Sequence, residues 1–172
     1  MARVVHPVRI GGVDKDELLC SLRSRGVELN PAALELLADR RFSTLATPRC
    51  LEVLELAVED LGLPRGGTMP AIRQAALSSG LAPCPLEVGP HLRLQLMGQE
   101  EGQIGFPRTR HCAPPGSITV VSIPIATDDQ TPKGFYLRRI NGSLWLRGYR
   151  SDDQHVWAGP DRLAFCRADP TA

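Results

Sequence analysis

Asn141-Gly142, set between two alternating runs in KGFYLRRINGSLWLRGYR (133–150), constrains the fold more than any other pair of residues in this chain. A two-residue type I′ turn needs positive φ at both central positions, and Asn-Gly meets that need with little strain. The turn fixes a register in which Ile140 opposes Ser143, Arg138 opposes Trp145 and Tyr136 opposes Arg147. Side chains alternate across a strand, so Phe135, Leu137, Leu144 and Leu146 share one face. Tyr136, Arg138, Trp145, Arg147 and Tyr149 share the other. The first face is a core surface. The second suits an anionic or planar ligand, or a partner protein. A slip of one residue would exchange the two.

The bulk numbers exclude more than they assign. A chain of 172 residues with 42% hydrophobic and 23% charged side chains can bury a real core as one globular domain. Its net charge of +1 exerts no global pull toward nucleic acid or membrane. Basic character is local: residues 130–151 hold five basic side chains and no acid. The N-terminal run MARVVHPVRIGG lacks an apolar signal core, and no apolar run approaches the ~18 residues of a membrane span. Cys20, Cys50, Cys84, Cys112 and Cys166 are widely spaced without a CxxC, which fits neither a disulfide scaffold nor a zinc knuckle. The expectation is a cytoplasmic protein without a bound metal or cofactor.

The N-terminal half carries helix signals. Asp14 and Glu17 form a capping box ahead of Leu18, Leu19 and Leu22, with Gly26 as the stop. Asn30-Pro31 starts a second helix to about Arg40, with Leu34 and Leu37 inward. Residues 50–61 fit either period, and the strand reading, with Leu54, Leu56 and Val58 on one side, is preferred. Thr68 and Pro70 open a third helix with Ile72, Ala76 and Leu77 inward and Gly80 at its end. HLRLQL (91–96) alternates as a strand, SITVVSI (117–123) is rich in β-branched residues, and the hairpin, an HVW strand and Leu163–Arg167 follow. Short turns between strands predict an antiparallel meander. The expected fold is α+β: one domain, 1–172, whose mainly helical part (1–82) packs on about five antiparallel strands (91–167).

The run CPLEVGPHLRLQ, preceded by a helix that ends in a Gly-Leu pair, resembles a segment of small uncharacterised bacterial proteins. The likeness covers about residues 68–97 and implies a modular family, with no activity or cofactor to carry over. Within the run, Pro85, Gly89 and Pro90 set a rigid path that delivers Glu87, His91, Arg93 and Gln95 to one sheet edge. A Glu–His pair can do acid–base work, although a Glu in such a connector more often caps backbone amides. Cys112, beside His111 and two arginines, could be an activated thiol. No histidine or cysteine spacing matches a metal site, and Gly66-Gly67 lacks the lysine of a phosphate loop.

The leading functional expectation is therefore a non-catalytic binding module, using Tyr136, Arg138, Trp145, Arg147 and Tyr149 on a macromolecular partner or a second copy of the chain. The runner-up is an enzyme or sensor for a small anionic substrate, with Glu87, His91 or Cys112 reactive and Arg93 and Arg138 binding. Single-stranded nucleic-acid binding is a third reading, against which the near-zero net charge argues.

Overall fold

The structure, a computed structural model describing residues 3–102 and 113–168, begins with a strand for which the N-terminal run gives little signal, since Pro7 interrupts it. β1 (Val4–Ile10) turns Val8 and Ile10 inward. α1 (Lys15–Ser24) has the expected capping box: Asp14 accepts from the amides of Asp16 and Glu17 at 2.9 Å, and Glu17 accepts from Asp14 N at 3.0 Å. β2 (Glu28–Leu29) and α2 (Pro31–Ala38) follow, then β3 (Arg49–Ala57). Residues 50–61 are thus strand as far as Ala57, and Val58–Leu61 close as a 3-10 turn. β4 (Gly67–Thr68), α3 (Met69–Ser78) and β5 (Leu81–Ala82) complete the first half.

HLRLQL is not a strand. It belongs to α4 (Val88–Gln95), with Pro90 in the first turn, where its missing N–H costs nothing. Val88, Gly89, Pro90, His91, Leu92 and Arg93 are all buried, so the helix is enclosed on most sides and shows no amphipathic period. Gly89 is where the helix meets the sheet: a Cβ there would lie 2.7 Å from that of Phe135.

The second half supplies β6 (Ile118–Val120), β7 (Gly134–Ile140), β8 (Ser143–Tyr149), β9 (Val156–Trp157) and β10 (Arg162–Arg167). The hairpin has the expected register, with Asn141 at φ 49 and Gly142 at φ 79. The expected meander forms only as far as β6-β7-β8, which are antiparallel neighbours in chain order. The main sheet runs β1-β3-β10-β6-β7-β8-β2, with β5 paired to the end of β10, and the β10–β6 and β8–β2 pairs are parallel. β9 leaves the sheet to pair with β4, and β10 returns to its middle, between β3 and β6. The reason lies in its composition: Leu163 and Phe165 are buried on one face and Ala164 and Cys166 on the other, as a central strand requires. The fold is α+β, but strands from both halves share one sheet, so a helical half packed on a β half does not describe it.

Each face of the sheet has its own core. Val8, Ile10, Val53, Val120, Phe135, Leu137 and Leu146 pack with Leu18, Leu22, Leu36, Leu37 and Leu92 of α1, α2 and α4. Leu54, Leu56, Val121, Leu163 and Phe165 pack with Ile72 and Ala76 of α3 and with Trp157 of β9. Two leucines expected inward are exposed, Leu34 at 37% and Leu77 at 54%. In α2 the inward row is Ala32, Ala33, Leu36 and Leu37, and in α3 it is Met69, Ile72 and Ala76, so Leu37, Ile72 and Ala76 face inward as expected while Leu34 and Leu77 lie just outside the buried rows. Leu94, Leu96 and Leu144 are half-buried. No helix among the described residues is long and apolar enough to cross a membrane.

Candidate functional site

α3 and β9 cover the second face over β3 and β10, and Trp157 of β9 reaches as far as Tyr149 of β8. Along the hairpin that face continues as Tyr136, Arg138, Trp145, Arg147 and Tyr149, each half-buried, paired across the strands as Tyr136–Arg147 and Arg138–Trp145. The Arg147 guanidinium carbon lies 5.0 Å from the Trp145 ring centre and 5.9 Å from that of Tyr136. This is cation–π distance on both rings. No carboxylate among the described residues pairs with Arg138 or Arg147. Stacking does not consume the terminal N–H groups of the Arg147 guanidinium, whereas its Nε–H is buried without a partner among the described residues.

At the Tyr136 end the face deepens into a cavity of about 170 Å³ lined by Tyr136, Tyr149, His155 and Trp157, with Thr119 and Arg150 at its border. Tyr149 meets Trp157 edge-on at 5.7 Å, and His155 meets Trp157 in the same way at 5.2 Å. Burial pushes the Tyr149 phenol up to about 12, so it stays neutral at physiological pH. Trp157 is 5% exposed, and its indole N–H has no hydrogen-bond partner among the described residues. Trp157, on the strand outside the main sheet, and His155, just ahead of it, are the part of this site that sequence reasoning missed. The HVW strand was visible, but its fold-back onto the hairpin was not.

The remaining candidates lie elsewhere. Arg93 is on the opposite side of the sheet and fully buried, donating to Gln99 Oε1 at 2.5 Å and to the Leu96 carbonyl. Gln99 in turn donates to the carbonyls of Gly116 and Leu137 at 2.9 and 3.3 Å. Burial, with the nearby charge of Arg139, lowers the Arg93 guanidinium to about 10. The arginine therefore anchors the chain after α4 and is not brought to the hairpin face. Glu87 and His91 do come together, at 3.5 Å, but under α4: Glu87 Oε1 accepts from Leu45 N at 3.1 Å and His91 Nε2 from Gly11 N at 3.3 Å. Burial raises Glu87 and lowers His91, which disfavours the charged form of each. As an acceptor at Nε2, His91 carries its proton on Nδ1. The pair clips two loops to the helix. Cys112, with His111, lies outside the described residues.

One polar cluster escaped the sequence reading. Glu55 on β3 is 7% exposed and accepts from His6 Nε2 of β1 at 2.8 Å and from Arg162 of β10. Burial pushes its carboxyl up, but the hydrogen bonds from His6 and Arg162 outweigh that and hold it below the usual value. The cluster borders a cavity of about 510 Å³ that Gln99, Glu100 and Glu101 also line. Its three members are far apart in the chain and become neighbours only through the strand order. Among the described residues, no group of three His, Cys, Asp or Glu side chains could hold a metal ion.

No family model, no curated protein and no solved structure matches this chain.

Proposed function

We propose that this protein is a non-catalytic binding module that takes an acidic segment of a partner protein on the uncovered hairpin face. Arg138 and Arg147 meet carboxylates of the segment, Trp145 and Tyr136 supply flat apolar contact, and the cavity beside Tyr149 and Trp157 takes one planar side chain. The observation that carries this reading is Arg147, held between Trp145 and Tyr136 with no carboxylate paired to it among the described residues. Arginine and aromatic residues are the usual anchors of protein interfaces. The cavity of about 170 Å³ is the right size for a single ring, since a cavity of about 150 Å³ holds benzene. Acid–base chemistry at Glu87 and His91 finds less support, because both side chains are buried and Glu87 Oε1 and His91 Nε2 accept from the backbone amides of Leu45 and Gly11.

Calorimetric titration with acidic peptides carrying one aromatic residue tests this reading. Saturable binding that weakens at least tenfold in both Arg147→Glu and Trp145→Ala is the expected result. Absence of saturable binding overturns it. Binding of single-stranded DNA instead, falling steeply with salt, would move the same face to the nucleic-acid reading.

A further inference from the structure

We infer that Cys84 and Cys166 are the site of an intramolecular disulfide, formed by exchange with a low-molecular-weight disulfide and fastening the end of β10 to the connector ahead of α4. The two sulfurs lie 3.1 Å apart although 82 residues separate them in the chain. Contraction by about 1 Å brings them to bonding distance, within the reach of small side-chain rotations. Both residues are buried, at 3% and 6% exposure, in the core cluster that also holds Val53, Val88 and Ala164.

The backbone around each sulfur is held independently. Cys166 is paired with Val53 of β3 on one side and Ala82 of β5 on the other. Cys84 is flanked by Pro83 and Pro85, its amide donates to Val121 O at 2.7 Å, and it forms a parallel bridge with Ser122. Two rigid segments thus present their sulfurs to each other, which keeps the loss of freedom on bonding small.

The step balances without a metal or flavin. One cysteine thiolate attacks the small disulfide, giving a mixed disulfide and releasing one small thiolate. The second cysteine thiolate attacks the protein sulfur of that mixed disulfide and expels the other small thiolate. The two cysteine sulfurs are oxidised by one electron each, the small disulfide is reduced by two, and the two cysteine protons end on the released thiols. Burial raises the Cys84 thiol well above its usual value, so exchange waits for a transient opening of the connector. Cys20 and Cys50 are exposed and react without such an opening.

The test is thiol mapping of the wild-type protein. The chain is incubated with glutathione disulfide in dilute urea, quenched in acid, alkylated after full denaturation, digested and weighed without reduction. The expected product is a linked peptide pair containing Cys84 and Cys166. The oxidised protein should melt about 5–10 °C above the reduced one. Cys84→Ala should abolish both the linked pair and the shift. Should that variant fail to fold, the wild-type map decides alone. Alkylation of both Cys84 and Cys166 in the oxidised sample, or their linkage to Cys20, Cys50 or Cys112, overturns the inference.

Discussion

The Asn30 side chain bonds Gly148 as a neighbouring strand would: its Nδ2 donates to Gly148 O at 3.0 Å, and its Oδ1 accepts from Gly148 N at 2.8 Å. The same Oδ1 caps α2 by accepting from Ala33 N at 2.9 Å. One amide therefore starts a helix and seats it on the hairpin, at a point where Gly148 leaves no room for a side chain against Ala32. Asn30→Ala should cost about 2–4 kcal/mol, more than a helix cap alone, because Gly148 loses both bonds as well. Urea unfolding measures it. A loss below about 1 kcal/mol would show that the bonds to Gly148 contribute nothing.

Gly89 sets two effects of opposite sign against each other. Alanine in place of a helical glycine ordinarily stabilises by about 1 kcal/mol. Here its Cβ would sit 2.7 Å from the Phe135 Cβ, inside a core that cannot give freely. Overpacking of this kind costs about 1–3 kcal/mol, so Gly89→Ala should destabilise on balance. Gly89→Ala combined with Phe135→Leu should lose less than the sum of the two single changes, as read by thermal unfolding of all three variants.

Acid should weaken the clip beneath α4 through His91. Its folded value lies below the ordinary 6.5, so the unfolded chain binds more protons as pH falls through that range, and stability drops. Glu87 works the other way, because its raised folded value means that the ionised form at neutral pH is a burden which protonation relieves. Glu87→Gln should therefore be neutral or stabilising at pH 7 and lose that advantage near pH 4. His91→Gln should flatten the stability profile as pH falls below the ordinary imidazole value of 6.5. Profiles identical to wild type for both variants would remove the pair from the acid response.

Glu55 has the opposite signature. Its folded value is held below the ordinary 4.5 by His6 and Arg162, so its contribution is full above that pH and fades as pH falls through the folded value. Glu55→Gln should cost about 1–3 kcal/mol at pH 7, with less difference from wild type at pH 3. Chemical unfolding at the two pH values compares them. Equal losses at both would mean that packing, and not charge, holds the three strands together there.

The hairpin was legible because its instructions are local: Asn141-Gly142 sets the turn, and alternation does the rest. The capping box at Asp14 and the cap at Asn30 were legible for the same reason. α4 was misread because Leu92, Leu94 and Leu96 alternate in sequence, although Leu94 and Leu96 are only half-buried and Arg93 beside them is fully buried. The strand order was out of reach: apolar residues on both faces of β10 suit a central strand, but they do not name β3 and β6 as its neighbours. The candidate face was legible at Tyr136, Arg138, Trp145, Arg147 and Tyr149. The cavity beside it was not, because Trp157 and His155 reach it through a contact between β4 and β9 that leaves no mark in spacing.

The place of β10 between β3 and β6 has a consequence for synthesis. On the ribosome, β1 and β3 can pair early, but the inner rim of β3 has no neighbour until residues 162–167 have emerged. Until then the nascent chain carries an open hydrogen-bonding rim with Leu54 and Leu56 bare on one side. Such a chain settles late and in one concerted step, with a slow folding rate to match its distant pairings. Its window of vulnerability to aggregation lies during translation, before the strand that shields β3 has been made.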